Sequence, residues 1–220
     1  LLLLGIVPLI ILANLPADLK TRPMGEHEIP AAIHPLRDQL LPLGFRQVGP
    51  PLKVEMAPAA VVVGFIHATE PVFATVYQTT TIPAKTSFDF VSILEGDRGG
   101  LTTNADPAGA SLPSSSGGFR QVLKENGLDK LFRAHLEGIA FLYHQGIRVR
   151  PVQEEMFIQD LTNAIRQQRE LFLSAPMQCS LLTFWRSATK QVPFTGRLKD
   201  QAVAGQQIES FRTGETQRAF

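Results

Sequence analysis

The sequence predicts an α+β domain: an antiparallel meander of four or five strands with helices on one face, preceded by an N-terminal transmembrane helix. Three observations carry this. Residues 1–16 hold a single polar side chain, Asn14. Residues 59–104 combine β-branched runs with strict apolar/polar alternation, the two-residue period of a sheet. Residues 128–173 repeat apolar side chains at helical spacing.

Composition agrees with one sizeable domain. The chain has 220 residues, 44% hydrophobic and 19% charged, enough apolar material for a packed core and against global disorder. Its 21 basic and 20 acidic residues leave a net charge of +1. That balance excludes a dedicated nucleic-acid binder, which needs a basic surface to displace counterions. Cys179 is the one cysteine, so no intrachain disulfide and no cysteine-based zinc site can form.

The opening run, "LLLLGIVPLIILANL", falls short of the roughly 20 residues that cross a bilayer. It begins without Met, and we read it as the downstream part of a longer membrane helix. Leu1, Leu2, Leu3, Leu4, Ile6, Val7, Leu9, Ile10, Ile11 and Leu12 are then the lipid contacts. A signal-peptide core and a buried core helix are the alternatives. Lys20 and Arg22 follow at once, which places the main domain in the cytoplasm under the positive-inside tendency.

Residues 16–30, with Pro16, Pro23, Gly25 and Pro30, read as a linker. Residues 31–43 form a short helix in which Ile33, Leu36, Leu40 and Leu43 share a face and Gly44 is the stop. Residues 59–68 and 71–81 are strands. Residues 86–104 form a hairpin around "EGDRGG", with Phe88, Phe90, Ser92 and Leu94 on one face and Ser87, Asp89, Val91 and Ile93 on the other. Residues 105–118, "ADPAGASLPSSSGG", are a flexible loop. Residues 119–124 offer one more strand.

Helices follow over 128–144, 152–173 and 177–192. In the second, Phe157, Leu161, Ala164, Ile165, Leu171 and Phe172 line one face. In the third, Phe184 and Trp185 lie on an apolar face beside Arg186 and Lys190, a composition suited to the membrane interface as well as to docking on the domain's own core. Residues 201–220 are polar and read as a loose tail, so the α+β domain spans residues 31–200.

Candidate chemistry is sparse. His135 lies in the apolar stripe of its helix, where an imidazole serves as a general acid or base or simply packs. Asp89, with Glu95 and Asp97 just beyond it, offers carboxylates for acid and base roles, while turn chemistry also explains Glu95 and Asp97. His135 and His144 point to opposite sides of one helix, and His27, His34 and His67 are scattered, so no metal site is expected. "GDRGG" lacks the Lys-Ser/Thr of a phosphate-binding loop, "SSSGG" lacks a nucleophile elbow, and nothing calls for a cofactor.

Four stretches, "HATEPVFATVYQ", "FDFVSILEGDRGGLTTN", "LDKLFRAHLEGIAFL" and "LLTFWRSATKQVPFTG", together resemble a loose group of uncharacterised bacterial proteins with one N-terminal membrane helix and a small α+β domain. The resemblance implies the architecture and no activity.

Three functions are compatible with the sequence. The leading one is a membrane-tethered, non-enzymatic accessory or protein-interaction domain, with the lipid bilayer and a membrane protein as partners. The others are a membrane-bound sensor of a small ligand and a hydrolase with a site near His135 and Asp89.

Overall fold

β-Branched and alternating residues pair into one seven-stranded sheet whose spatial order follows the chain, β1 (Lys20–Pro23), β2 (Phe45–Glu55), β3 (Ala60–His67), β4 (Phe73–Thr79), β5 (Thr86–Ile93), β6 (Gly100–Asn104) and β7 (Phe119–Val122). The computed structural model describes residues 19–55, 59–80, 84–96, 99–105, 118–125, 127–174 and 195–218. Every neighbouring pair from β1 to β6 is antiparallel, whereas β6 and β7 are parallel.

This corrects the expected fold class on three points. The sheet has seven strands, not four or five. It is mixed rather than a purely antiparallel meander. Helices cover both of its faces, not one. The expected transmembrane helix falls on residues 1–15, outside the described residues, and no described helix is long and apolar enough to cross a membrane.

Each extra strand has a local reason for its concealment. β2 contains Gly49, Pro50 and Pro51, residues that normally end a strand. They sit where the β2–β3 register shifts between Val48 and Leu52, and Gly49 takes a positive φ of 56° there. A bulge tolerates proline because the ladder is already interrupted. β1 has the look of a linker because it is short and polar, and among the described residues it pairs only with the outer edge of β2. β7 runs parallel to β6 because residues 105–118 separate them, a connection long enough for a crossover rather than a hairpin.

The described helices are α1 (His34–Leu40), flanked by 3-10 turns at Ala31–Ile33 and Leu41–Leu43, α2 (Leu128–His144), α3 (Phe157–Ser174) and α4 (Ala204–Arg218). α1 closes on Gly44, whose φ of 93° ends the turn. On one sheet face Val63, Phe65, Ala74, Val76 and Phe90 form the main core with Leu128, Leu131 and Phe132 of α2, and Ile33 and Leu40 complete it. α2 lies close to the sheet because residue 138 is glycine. A Cβ there would stand 2.9 Å from both Gln121 Nε2 and Leu101 Cδ2.

Residues 201–220, expected to be loose, instead supply α4. Its Ala204, Ile208 and Phe211 pack with Leu94, Leu101, Phe119, Leu142, Ile147 and Leu198. The outer edge of β7 is covered as well. Val122 N–H donates to Thr195 Oγ1 at 2.8 Å, and Gln201 Nε2 donates to the Arg120 carbonyl at 2.7 Å. Covering an edge removes a template for unwanted strand pairing.

On the second face α3 packs Leu161 against Val54, Ala60 and Val62 and seats a plug beside them. Phe157, the first residue of α3, packs with Val48, Leu52, Ile66 and Phe73, directly over Gly64. A Cβ at Gly64 would stand 2.3 Å from the tip of the Phe157 ring. Gly64→Ala should therefore lower stability by about 1–3 kcal/mol through overpacking. In urea unfolding, Gly64→Ala combined with Phe157→Leu should cost less than the sum of the two single changes, since the smaller side chain relieves the clash.

Candidate functional site: a sealed histidine and a polar cleft

α2 carries His135 into the main core, where the imidazole has no solvent exposure. Its Nε2 lies 2.9 Å from Ser92 Oγ on β5, and its Nδ1 lies 2.9 Å from Thr103 Oγ1 on β6. The partners determine where the protons are. Ser92 Oγ donates its one proton to the Pro71 carbonyl at 2.8 Å, so it must accept from His135 Nε2–H. Nδ1 of the neutral ring then accepts from Thr103 Oγ1–H. Thr103 Oγ1 in turn accepts from Gln121 Nε2 at 2.8 Å. Gln121 Nε2 also donates to the Ala134 carbonyl at 3.1 Å, and its Oε1 accepts from Leu198 N–H at 2.7 Å. Ser92, Thr103 and Gln121 are themselves buried.

The chain of bonds is closed, and burial lowers the imidazole from its ordinary 6.5 to about 3. It is therefore neutral at physiological pH. A Ser–His pair suggests an activated nucleophile, but activation requires the imidazole to accept the serine proton. Here the imidazole donates to that oxygen, and water does not reach it.

Asp89 lies on the opposite side of the sheet. Successive strand residues alternate faces, so Ser92 points to α2 and Asp89 points away. Its carboxylate accepts from Asn104 Nδ2 at 2.7 Å. The two candidate catalytic residues are separated by the sheet and do not converge. Glu95 is in the β5–β6 turn, its backbone N–H bonded to the Arg148 carbonyl. Asp97, Cys179 and the expected interfacial residues Phe184, Trp185, Arg186 and Lys190 lie outside the described residues, as do the expected lipid contacts Leu1 to Leu12. Among the described residues no three His, Cys, Asp or Glu side chains gather as metal ligands.

His67 is likewise committed. Its Nδ1 accepts from the Thr69 and Glu70 N–H groups, so Nε2–H donates to the Leu43 carbonyl at 2.9 Å. The ring packs against both Phe45 and Phe132, each 5.0 Å away. An open depression of about 310 Å³ beside it is lined by His67, Glu70, Pro71 and Pro151, with the imidazole already spent on holding the β3–β4 turn.

The polar groups that do converge are on the second face. Beyond Phe157, α3 stands over β5, β6 and β7 and encloses a cleft of about 120 Å³. Thr102 and Arg120, adjacent in the β6–β7 register, form its floor with Val91. Asn163, Ala164, Gln167 and Gln168 of α3 form its roof, and Gly99, Gly100 and Gly118 bring backbone to its wall. Asp160 stands at one end, buried, and pairs with Arg150. Arg150 N–H also bonds the Ile93 carbonyl at 2.9 Å, which ties the segment before α3 to the sheet. None of the polar cleft residues stands out in the sequence. The available signal is the run Asp160, Asn163 and Gln167, which follows one side of the apolar stripe at helical spacing.

Comparison of the chain with protein families, with curated proteins and with solved structures finds no match.

The buried imidazole sets a pH dependence. Between about 3 and 6.5 the unfolded chain binds one more proton at His135 than the folded chain does. Its contribution is therefore fully present above pH 6.5 and is lost as the pH falls toward 3, at up to about 1.4 kcal/mol per pH unit. His135→Gln should be less stable at pH 7 by roughly 1–3 kcal/mol, because buried partners lose their bonds. The stability difference between the two proteins, from urea midpoints at pH 4, 5, 6 and 7, should narrow as the pH falls and vanish or change sign by about pH 4.

Proposed function

We propose that this chain acts by binding rather than catalysis, as a non-enzymatic accessory or interaction domain. The observation that supports this most directly is the direction of the Ser92–His135 hydrogen bond. Ser92 Oγ has given its proton to the Pro71 carbonyl, and the neutral imidazole donates to that oxygen. A hydrolase would need the reverse arrangement and an approach for substrate. Thr103, a neutral hydroxyl, occupies the place where a carboxylate would orient and charge the ring.

A second reading, a small-ligand sensor, is favoured by the cleft beneath α3, whose lining includes Thr102, Arg120, Asn163, Gln167 and Gln168. About 120 Å³ is well below the roughly 300–1,000 Å³ of drug-sized ligand sites, so the ligand is small. Neither reading depends on the bilayer contact expected of Leu1 to Leu12.

Ser92→Ala should leave any ester or amide hydrolysis by the purified chain unchanged within about twofold, whereas loss of a catalytic nucleophile or base costs about 10²–10⁴-fold. A drop of that size would reinstate the hydrolase. For the sensor reading, Ala164→Phe should fill the cleft from its exposed roof. It should abolish small-molecule binding seen by ligand-observed NMR and leave the unfolding midpoint within about 0.5 kcal/mol, the usual range for a surface change.

A further inference from the structure

The β3–β4 turn and the segment before α3 border the open depression of about 310 Å³, at the lower end of the roughly 300–1,000 Å³ of ligand sites. We infer that it receives a basic side chain, lysine or arginine, of a partner protein, with the cation at Glu70 and the carbon stem along Pro71, Pro151 and Val152. Such a site gives the interaction reading a partner chemistry and rests on that reading.

Charge sets the first condition. Glu70 is half-buried, and among the described residues its carboxylate has no ion-pair partner. The cations of the adjoining segments are taken by other acids. Arg46, which faces Ile66 in the β2–β3 register, pairs with Glu154. Arg150, between Val149 and Pro151, pairs with Asp160. His67 has both ring nitrogens engaged, so neither is available to the carboxylate. Among the described lining residues Glu70 is the one acid and no Lys or Arg accompanies it. The complement it lacks is a cation.

The walls set the second condition. Pro71, Val149, Pro151 and Val152 are apolar, and lysine and arginine lay their methylene stems along such surface while the charged head stays at a polar point. Both walls are fixed in advance. Thr69 and Glu70 N–H donate to His67 Nδ1, Val72 N–H donates to the Glu70 carbonyl at 2.7 Å, and the Pro71 carbonyl accepts from Ser92 Oγ. Opposite, Val149 bridges Leu94 and Arg150 N–H donates to the Ile93 carbonyl. A preformed site has less ordering to offset on binding. Its open mouth lets a side chain enter while the chain that carries it stays outside.

The probes are the N-acetyl N′-methylamides of lysine, arginine and norleucine, with n-butylammonium as a free amine, titrated at constant ionic strength into the full chain. The readout is the backbone amide ¹H–¹⁵N signals of Ala68, Thr69, Glu70 and Val152. The lysine or the arginine derivative should shift them saturably with Kd of about 1–10 mM, an ordinary affinity for a ligand this small. Norleucine, with a similar stem and no charge, should bind at least about fivefold more weakly, the scale of one partly exposed ion pair. Butylammonium, with fewer atoms in contact, should also bind more weakly. Glu70→Gln keeps the backbone bond to His67 and should bring the basic derivatives to the norleucine level.

Norleucine binding as tightly as both basic derivatives, an unchanged Kd in Glu70→Gln, or unmoved signals with all four probes overturns the site. Tighter binding of butylammonium than of either basic derivative overturns the partner protein in favour of a free amine. None of these outcomes touches the binding reading of the chain, which stands or falls on hydrolysis by Ser92→Ala. Should Glu70→Gln not fold, the comparison with norleucine on the unaltered chain still decides.

Discussion

The fold is organised around a hydrogen-bond chain that water does not reach. Ser92, His135, Thr103 and Gln121 link the Pro71 carbonyl at one end to the Leu198 amide at the other. That path joins the β3–β4 turn, β5, β6, β7, α2 and the segment leading into α4. Each polar atom on it costs free energy to bury unless it is paired. The pairing is met only in one register of the strands and one rotation of α2. Apolar packing alone is more permissive, since a core tolerates many repackings at similar volume. We therefore assign the polar chain the role of specifying which arrangement is adopted, while Phe65, Phe90, Leu131 and their neighbours supply the bulk of the burial.

The two faces of the sheet are put to different uses. α2 approaches closely at Gly138 and closes its face with aromatic and aliphatic side chains. α3 is fastened at its start by Phe157 over Gly64 and by the Arg150–Asp160 pair. The sheet under its later turns presents Thr102 and Arg120 among Val91 and Ile93. Where Thr102 and Arg120 face Asn163, Gln167 and Gln168, the two layers do not close by hydrophobic contact, and the space between them remains a cleft. The face whose alternation suggests solvent is thus roofed without being filled.

The edges are handled unequally. β7 is masked by Thr195, Gly196 and Gln201. Arg197 adds bonds to Glu137 and contacts with Glu125, which hold the masking segment against α2. β1 keeps its outer edge short, with Lys20 and Arg22 along it and Pro23 at its end. Charge, brevity and proline all discourage strand addition. Among the described residues, the sheet is thus bounded by chemistry at one side and by coverage at the other.

Much of this is legible in the residues alone. The strands at β3, β4, β5, β6 and β7 follow from β-branching and alternation, because a strand facing one core repeats every two residues. α2 and α3 follow from apolar stripes with the 3.6-residue period. The same alternation already puts Ser92 and Asp89 on opposite faces, which separates the two catalytic candidates before any packing is known. Other features required the tertiary structure. β2 is concealed because its prolines are acceptable only at a bulge, and a bulge is a property of the pairing. α4 has few apolar residues, and Ile208 and Phe211 matter only because a cluster around Leu101 and Leu142 awaits them. The state of His135 and the existence of the cleft were settled there too. Local sequence sets what each segment prefers, but hydrogen-bond partners and cavities belong to residues far apart in the chain, and only their packing decides which polar groups are sealed and which converge.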